Sequence, residues 1–356
     1  MKVIIAGGGT GGHIFPAISI AEEIKRRNPS NNILFVGTSR GLENDLLSKR
    51  GFRIEHIRAR GIKGRSLLNS VNAIFSSLAG LFDSLSVIRN FRPDAVLGVG
   101  GYVSGPMVLA ASLYGIPTAV CEQNVYPGVT NRILGKLVKR VFVAFEDSRS
   151  YFPGDKVLLT GNPVRNEILR NAGSEKKAEA VVILVFGGSQ GAHRLNASVP
   201  EALAELGRED ISVIHQTGLK DYDYVKNLYQ KFGIKARVLT FIEDMAGAYA
   251  GADFVIGRAG AGTVSEITAL GKPSLLVPYP HAANNHQMEN ARVLERAGAA
   301  IVIEDKEATP ENLSRALTGA LGKDKLNSMA SAAAALGKPG AAGAIADEIS
   351  KLGGEI

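Results

Sequence analysis

Two doubly wound α/β domains of parallel sheet, facing each other across a cleft, are what this sequence predicts, and three observations carry the prediction. The chain opens as a strand running into a glycine-rich turn and then a helix. The same unit returns 180 residues later, and a second strand, loop, helix and strand block is also present twice. Alternating strands and helices with short connections imply parallel sheets covered on both faces.

The first strand is Val3 to Ala6, and the apolar residues Ile14, Ala17, Ile18, Ala21 and Ile24 recur at the spacing of an amphipathic helix. Between them, Gly7, Gly9 and Gly12 satisfy G-x-G-x-x-G, a pattern that lets phosphate approach backbone N–H groups at the positive end of a helix. A nicotinamide dinucleotide would need an acid at the end of the second strand to hold its ribose. Here "NILFVG" (Asn32 to Gly37) is followed by Thr38 and Ser39, so phosphate is retained and NAD is not.

Further on, "GRSLLNSVNAIFSSLAGLFDSLSVIRNFRP" sets Leu67, Leu68, Val71, Ile74, Phe75, Leu78, Leu81, Phe82 and Leu85 at helical spacing. Lys63, Arg65, Arg89 and Arg92 flank it, and Lys136, Lys139 and Arg140 form a basic cluster in the same half. The stripe is wider than one sheet-facing side of a helix uses. Part of it is expected to be exposed and to meet an anionic lipid surface.

The duplication is explicit. "VIIAGGGTGGH" (Val3 to His13) matches "ILVFGGSQGAH" (Ile183 to His193), pairing Gly7 with Gly187, Gly11 with Gly191 and His13 with His193. "AVLGVGGYVSGPMVLAASLYGIPTAV" and "FVIGRAGAGTVSEITALGKPSLLV" both run strand, glycine loop, helix, Gly-x-Pro, strand, with Gly115-Ile116-Pro117 answering Gly271-Lys272-Pro273. The punctuation "LLTGNPVRNEI" and the polar stretch Asn171 to Ala180 place the boundary. The expected organisation is a first domain over 1–163, a second over 164–340 and a C-terminal helix within 341–356 that packs back on the first domain. Ligands of such sheets lie beyond the carboxyl ends of the strands.

Bulk properties narrow the class. A length of 356 residues suits two domains, and 45% hydrophobic with 21% charged residues suits a globular chain. Cys121 is the single cysteine, which excludes a disulfide framework and suits a reducing compartment. The few residues before the first glycine are too short for a signal peptide, and no apolar run reaches membrane-spanning length. A net charge of +7 favours an anionic partner. With no tryptophan, 6% aromatics and no nucleic-acid motif, that partner is not expected to be nucleic acid.

Several constellations bear chemistry. Gly260, Ala261, Gly262 and Thr263 open a helix whose free N–H groups suit a diphosphate, and Glu266, one turn in, suits ribose hydroxyls. His13 sits where the first helix begins, a place for a neutral imidazole acting as general base. Glu122, Gln123 and Asn124 end a strand on the same side and suit sugar hydroxyls, as do the amides of "PYPHAANNHQMENA". His281 and His286 lack the spacing of a zinc site. Asp221-Tyr222-Asp223 reads as a helix start, so no metal and no cofactor are expected.

The ordered set "GGGTGGHIFPA", "GVGGYVSGP", "EQN", "GNPVR", "GGSQGA" and "AGAGTVSE" resembles the bacterial N-acetylglucosaminyltransferases that complete the lipid-linked peptidoglycan precursor, over essentially the whole chain. The resemblance implies the glycosyltransferase B fold. It also implies inverting transfer of N-acetylglucosamine from UDP-N-acetylglucosamine to the 4-hydroxyl of undecaprenyl-pyrophosphoryl-N-acetylmuramoyl-pentapeptide, by an enzyme peripheral to the cytoplasmic face of the plasma membrane. By motif, the implied donor contacts are Thr10, Gly11, Gly12, Asn124, Arg165, Ser189, Ile242, Ala261, Gly262, Thr263, Val264, Ser265, Glu266 and Gln287. His13 is the first candidate for the base and Glu122 the second. A UDP-N-acetylglucosamine epimerase of the same fold is the alternative.

Overall fold

The computed structural model describes residues 1–9, 11–38, 43–59, 67–170 and 180–354, with side chains omitted at 43, 45 and 67–78. The chain divides into two compact units, Met1–Arg165 with Lys338–Ile356, and Asn166–Gly337.

The first unit is built on a seven-stranded parallel sheet of order β3-β2-β1-β4-β5-β6-β7. Its strands are β1 (Lys2–Ala6), β2 (Asn32–Gly37), β3 (Arg53–His56), β4 (Ala95–Gly98), β5 (Thr118–Glu122), β6 (Arg140–Val143) and β7 (Val157–Leu159). The helices between them are α1 (Gly11–Arg27), α2 (Glu43–Ser48), α3 (Leu67–Phe91), α4 (Ser104–Leu113) and α5 (Val129–Leu134). Strands β1, β4 and β5 are buried along nearly their whole length, which is why they read as continuous apolar runs. Alternate side chains feed two cores, with Ile4, Val96 and Val120 on one face and Val3, Ile5 and Leu97 on the other.

The second unit carries a six-stranded parallel sheet of order β10-β9-β8-β11-β12-β13. Helix α6 (Asn166–Arg170) leads to β8 (Val181–Phe186), α7 (His193–Glu205), β9 (Ile211–Gln216), α8 (Tyr222–Lys231), β10 (Lys235–Leu239) and α9 (Met245–Gly251). Then follow β11 (Phe254–Gly257), α10 (Ala261–Ala269), β12 (Ser274–Leu276), α11 (His286–Arg296), β13 (Ala300–Val302), α12 (Pro310–Ala320) and α13 (Lys323–Leu336).

The last helix, α14 (Ala341–Leu352), belongs to the first unit. Ile345, Ala346 and Ile349 are fully buried in the core shared with Ile14, Ile18 and Ala21 of α1. Arg27 pairs with Asp347 and donates to the Gly343 carbonyl at 2.9 Å, and Arg140 meets Glu348 at 3.1 Å.

Strand order reverses direction between β1 and β4 in the first unit and between β8 and β11 in the second. Such switch points open a crevice at the carboxyl ends of the strands. All four strands there run into the glycine loops singled out by the sequence.

Candidate active site

In the first unit the glycines serve a close approach of two loops. A Cβ on Gly7 would collide with the Val99 side chain, and one on Gly101 would stand 2.6 Å from the Gly8 carbonyl oxygen. Gly7 is nearly extended, whereas Gly9, Gly100 and Gly101 have φ of 86°, 100° and 80°, a region that disfavours side chains. Ser104 ties the pair together: its Oγ lies 2.7 Å from the Ala6 carbonyl oxygen and accepts from Gly100 N–H at 3.0 Å.

His13 is the third residue of α1, half-buried, with its ring against the backbone of the β4 loop. A Cβ on Gly100 would meet its Cδ2 at 2.6 Å and Nε2 at 2.7 Å. Gly11 and Gly12 open the same helix, while Thr10 lies outside the described residues. Arg165 sets its guanidinium 4.7 Å over the ring of Phe15, one turn along α1's first half.

Glu122 ends β5 and is 3% exposed. Both carboxylate oxygens accept hydrogen bonds: Oε1 from Asn124 N–H at 3.0 Å and Asn124 Nδ2 at 3.3 Å, Oε2 from Gly128 N–H at 3.2 Å and Asn131 Nδ2 at 2.9 Å. Burial raises its pKa, and the donors from Asn124, Asn131 and Gly128 pull against that shift. The carboxyl thus folds residues 122–131 into one compact loop and sets the direction of Asn124. Gln123 is spent on the Val99 carbonyl at 2.8 Å.

The second unit repeats the arrangement in a different way. Gly188 and Gly191 have φ of 93° and 75°, and a Cβ on Gly191 would strike the Thr217 carbonyl. Ser189, exposed at the crest of this loop, faces solvent from the β8 switch point. At the neighbouring switch strand, Gly260 caps α10 with no side-chain partner for the helix N–H groups. That leaves the backbone donors of Ala261, Gly262 and Thr263 at the positive helix end. Val264 is buried and its N–H donates to the Gly260 carbonyl at 3.0 Å, and the Ser265 hydroxyl is turned back onto the Ala261 carbonyl at 2.8 Å. Glu266 is half-buried, with Tyr249 donating to its Oε2 at 3.0 Å.

Ile242 is buried, and its N–H is taken by Gln216 Oε1 at 2.7 Å. Gln287 accepts from Tyr279 N–H at 2.9 Å. The asparagines before it have a backbone reason: Asn284 and Asn285 adopt φ of 51° and 55°, where Asn is tolerated better than most residues. Asn290 is fully buried and donates to the Ala259 carbonyl at 3.3 Å. Residue type in this run is therefore set by backbone geometry as well as by any ligand.

Asp221 immediately precedes α8, so Asp221-Tyr222-Asp223 does start a helix, although the Asp221 side chain does not cap it. Its Oδ2 instead accepts from Asn196 Nδ2 at 2.8 Å and lies 3.0 Å from His193 Nδ1. Behind it, Asn196 Oδ1 is 3.1 Å from Nε2 of the fully buried His215, whose Nδ1 is 2.9 Å from the Tyr229 hydroxyl. Since Asn196 Nδ2 already donates to Asp221 and to the Thr217 carbonyl at 2.8 Å, His215 carries its proton on Nε2 and accepts from Tyr229. Neither His215 nor Gln216 stands out in sequence, because "HQTG" matches no spacing rule.

Glycine loops at the switch point of each of two doubly wound units, without an acid after β2 to hold the ribose of NAD, suit a phosphate-bearing ligand and fit the two-domain B fold of glycosyltransferases. The sequence models of the glycosyltransferase family 28 N-terminal and C-terminal domains match residues 3–143 and 182–345. The chain is 47% identical to the UDP-N-acetylglucosamine–N-acetylmuramyl-(pentapeptide) pyrophosphoryl-undecaprenol N-acetylglucosamine transferase of Anaeromyxobacter dehalogenans (strain 2CP-C), covering 99% of this chain and 93% of that one. It is 46% identical to the transferase of the same name from Syntrophus aciditrophicus, covering 98% and 97%. The crystal structure of Acinetobacter baumannii MurG matches with a TM-score of 0.83 at 34% identity, over 98% of this chain and 99% of that one. The chain belongs to glycosyltransferase family 28 and, within it, to the MurG family of N-acetylglucosaminyltransferases. A UDP-GlcNAc 2-epimerase from Neisseria meningitidis, at 18% identity and a TM-score of 0.70, shares the fold.

Proposed function

We propose that the protein transfers N-acetylglucosamine from UDP-N-acetylglucosamine to the 4-hydroxyl of undecaprenyl-pyrophosphoryl-N-acetylmuramoyl-pentapeptide, with inversion. The observation that supports this most is the near-full-length likeness, through both units, to transferases named for that reaction. The second unit takes the donor. Glu266 accepts from ribose hydroxyls, the Ile242 carbonyl reads the uracil edge, and Ser189 with the α10 N-terminus balances charge that grows on the diphosphate as the C1–O bond breaks. Arg165 adds a cation to that charge, while Thr10, Gly11, Gly12, Asn124 and Gln287 orient the sugar and phosphates.

The acceptor oxygen attacks C1 as its proton passes to His13, leaving the glycoside and UDP. His13 suits the base because its ring edge is fixed by the glycine loop of β4. Glu122 acts through Asn124 as a positioning residue, since its oxygens already hold four N–H donors.

Among the described residues no helix is long and apolar enough to cross a membrane. The lipid-linked acceptor is reached from the surface of the cytoplasmic leaflet, by the first unit. In α3, Leu81 and Leu85 pack on the core and Phe82 is 69% exposed; Leu67, Leu68, Val71, Ile74, Phe75 and Leu78 have side chains outside the described set, as do Lys63 and Arg65. A second surface reinforces the first: Val129, Ile133 and Leu137 are 62%, 59% and 51% exposed and alternate with exposed Arg132, Lys136 and Lys139. Apolar groups interleaved with cations suit an anionic interface.

The deciding assay supplies radiolabelled UDP-N-acetylglucosamine with and without the lipid-linked acceptor. Label appearing in the lipid product only when acceptor is present supports transfer. Release of a free sugar without acceptor overturns it.

A further inference from the structure

Gln216 is the last residue of β9 and is 2% exposed. Its side-chain amide spans two loops that come from different strands. Nε2 donates to the Gly188 carbonyl at 2.9 Å, and Oε1 accepts from Ile242 N–H at 2.7 Å. Gly188 belongs to the loop after β8 and Ile242 to the loop after β10, on opposite sides of β9 in the sheet. The β8 loop has little freedom to drift from this anchor, because a Cβ on Gly218 would collide with the Gln190 carbonyl and one on Gly191 with that of Thr217.

We propose that Gln216 is a positioning residue that registers the diphosphate-binding loop against the uracil-binding loop. A base seated at Ile242 then presents its diphosphate where Ser189 and the α10 N-terminus meet it. This rests on the reading that the second unit takes the UDP-sugar. The link needs a donor on one side and an acceptor on the other, which a neutral amide supplies. A carboxylate of the same shape keeps the acceptor for Ile242 N–H and sets a second acceptor against the Gly188 carbonyl. Gln216→Glu therefore cuts one half of the link and spares the other. Burial raises the pKa of the introduced carboxyl, and protonation gives back a donor.

The test is calorimetric titration of UDP and competition by uridine, on wild type and Gln216→Glu, at pH 8 and pH 6. The variant is expected to hold uridine within about twofold of wild type and to bind UDP roughly tenfold to a hundredfold more weakly at pH 8. At pH 6 it recovers at least about fivefold relative to wild type. A role confined to packing would weaken both ligands alike with no recovery at low pH, and that result overturns the proposal, as does UDP binding equal to wild type at pH 8. If Gln216→Glu does not fold, Gln216→Met carries the test: with the link gone, UDP, which spans both loops, is expected to lose more affinity than uridine, and equal losses or unchanged binding refute the proposal. Wild-type protein that binds no UDP overturns the donor reading itself.

Discussion

The imidazole of His13 rests on the backbone of Gly100, with Nε2 standing 2.7 Å from where a Cβ would be. This glycine, two residues past the end of β4, thus sets where the ring edge points. Gly100→Ala should push the ring aside and, with φ of 100°, strain the loop. We expect it and His13→Ala to lower kcat by roughly a hundredfold to ten-thousandfold with UDP affinity little changed. Steady-state rates beside calorimetry measure the split, and near-normal turnover in His13→Ala would remove the histidine from the mechanism.

Glu266 and Tyr249 make a graded pair. Glu266→Ala removes the ribose acceptor and is expected to weaken UDP binding by roughly tenfold to a hundredfold. Tyr249→Phe removes only the hydroxyl that orients Oε2, so its effect should be about threefold, below the full range for a lost hydrogen bond. Equal affinities for wild type and Glu266→Ala would place the ribose elsewhere.

Burial of His215 predicts a specific acid sensitivity. Its pKa is lowered to about 3 by desolvation. An unfolded histidine titrates near 6.5, so between those values the unfolded chain binds a proton that the folded one refuses. The contribution is absent above about pH 6.5 and destabilises the fold progressively as pH falls towards 3, by roughly 1.4 kcal/mol per pH unit. The raised pKa of Glu122 works with the opposite sign, favouring the folded state as pH falls. His215→Leu should be less stable at pH 7, yet lose less with acidification. Urea midpoints at pH 7, 6 and 5 would show the shallower slope, and parallel slopes would contradict it.

Membrane attachment is expected to depend on both surfaces of the first unit. Replacing Phe82 and Ile133 by serine, or Lys136 and Lys139 by glutamine, should reduce co-sedimentation with anionic vesicles, and salt should weaken it in wild type. Equal binding to neutral and anionic vesicles would sink the electrostatic part.

Helix α14 should carry much of the first unit's stability. Ile345→Ala and Ile349→Ala each leave a cavity in a fully buried position and should cost about 2–5 kcal/mol. Limited proteolysis is expected to open residues of the first unit while leaving 180–337 protected.

The parts legible in sequence were those written in local pattern. Val3 to Ala6 and Asn32 to Gly37 appear as strands where buried runs end in glycine, and the 180-residue repeat holds because Gly7 and Gly187 end equivalent strands at equivalent switch points. Gln216 was not legible, since its meaning comes from Gly188 and Ile242 meeting across β9, 28 and 26 residues away. Asn284 and Asn285 were open to misreading for the converse reason: an amide that suits a sugar also suits a left-handed backbone. Asp221 marks a helix start, as its sequence context indicates, but the pattern does not reveal that a partner in α7 takes its carboxylate.

The return of α14 to the first unit also bears on how the chain is made. Residues 166–337 can close their own core as soon as they have left the ribosome, whereas the sheet synthesised before them waits for Ile345 and Ile349, which emerge only after them. Until then one flank of α1 lies bare, and a stalled or prematurely terminated chain exposes it. The order in which the two units are finished is the reverse of the order in which they are begun.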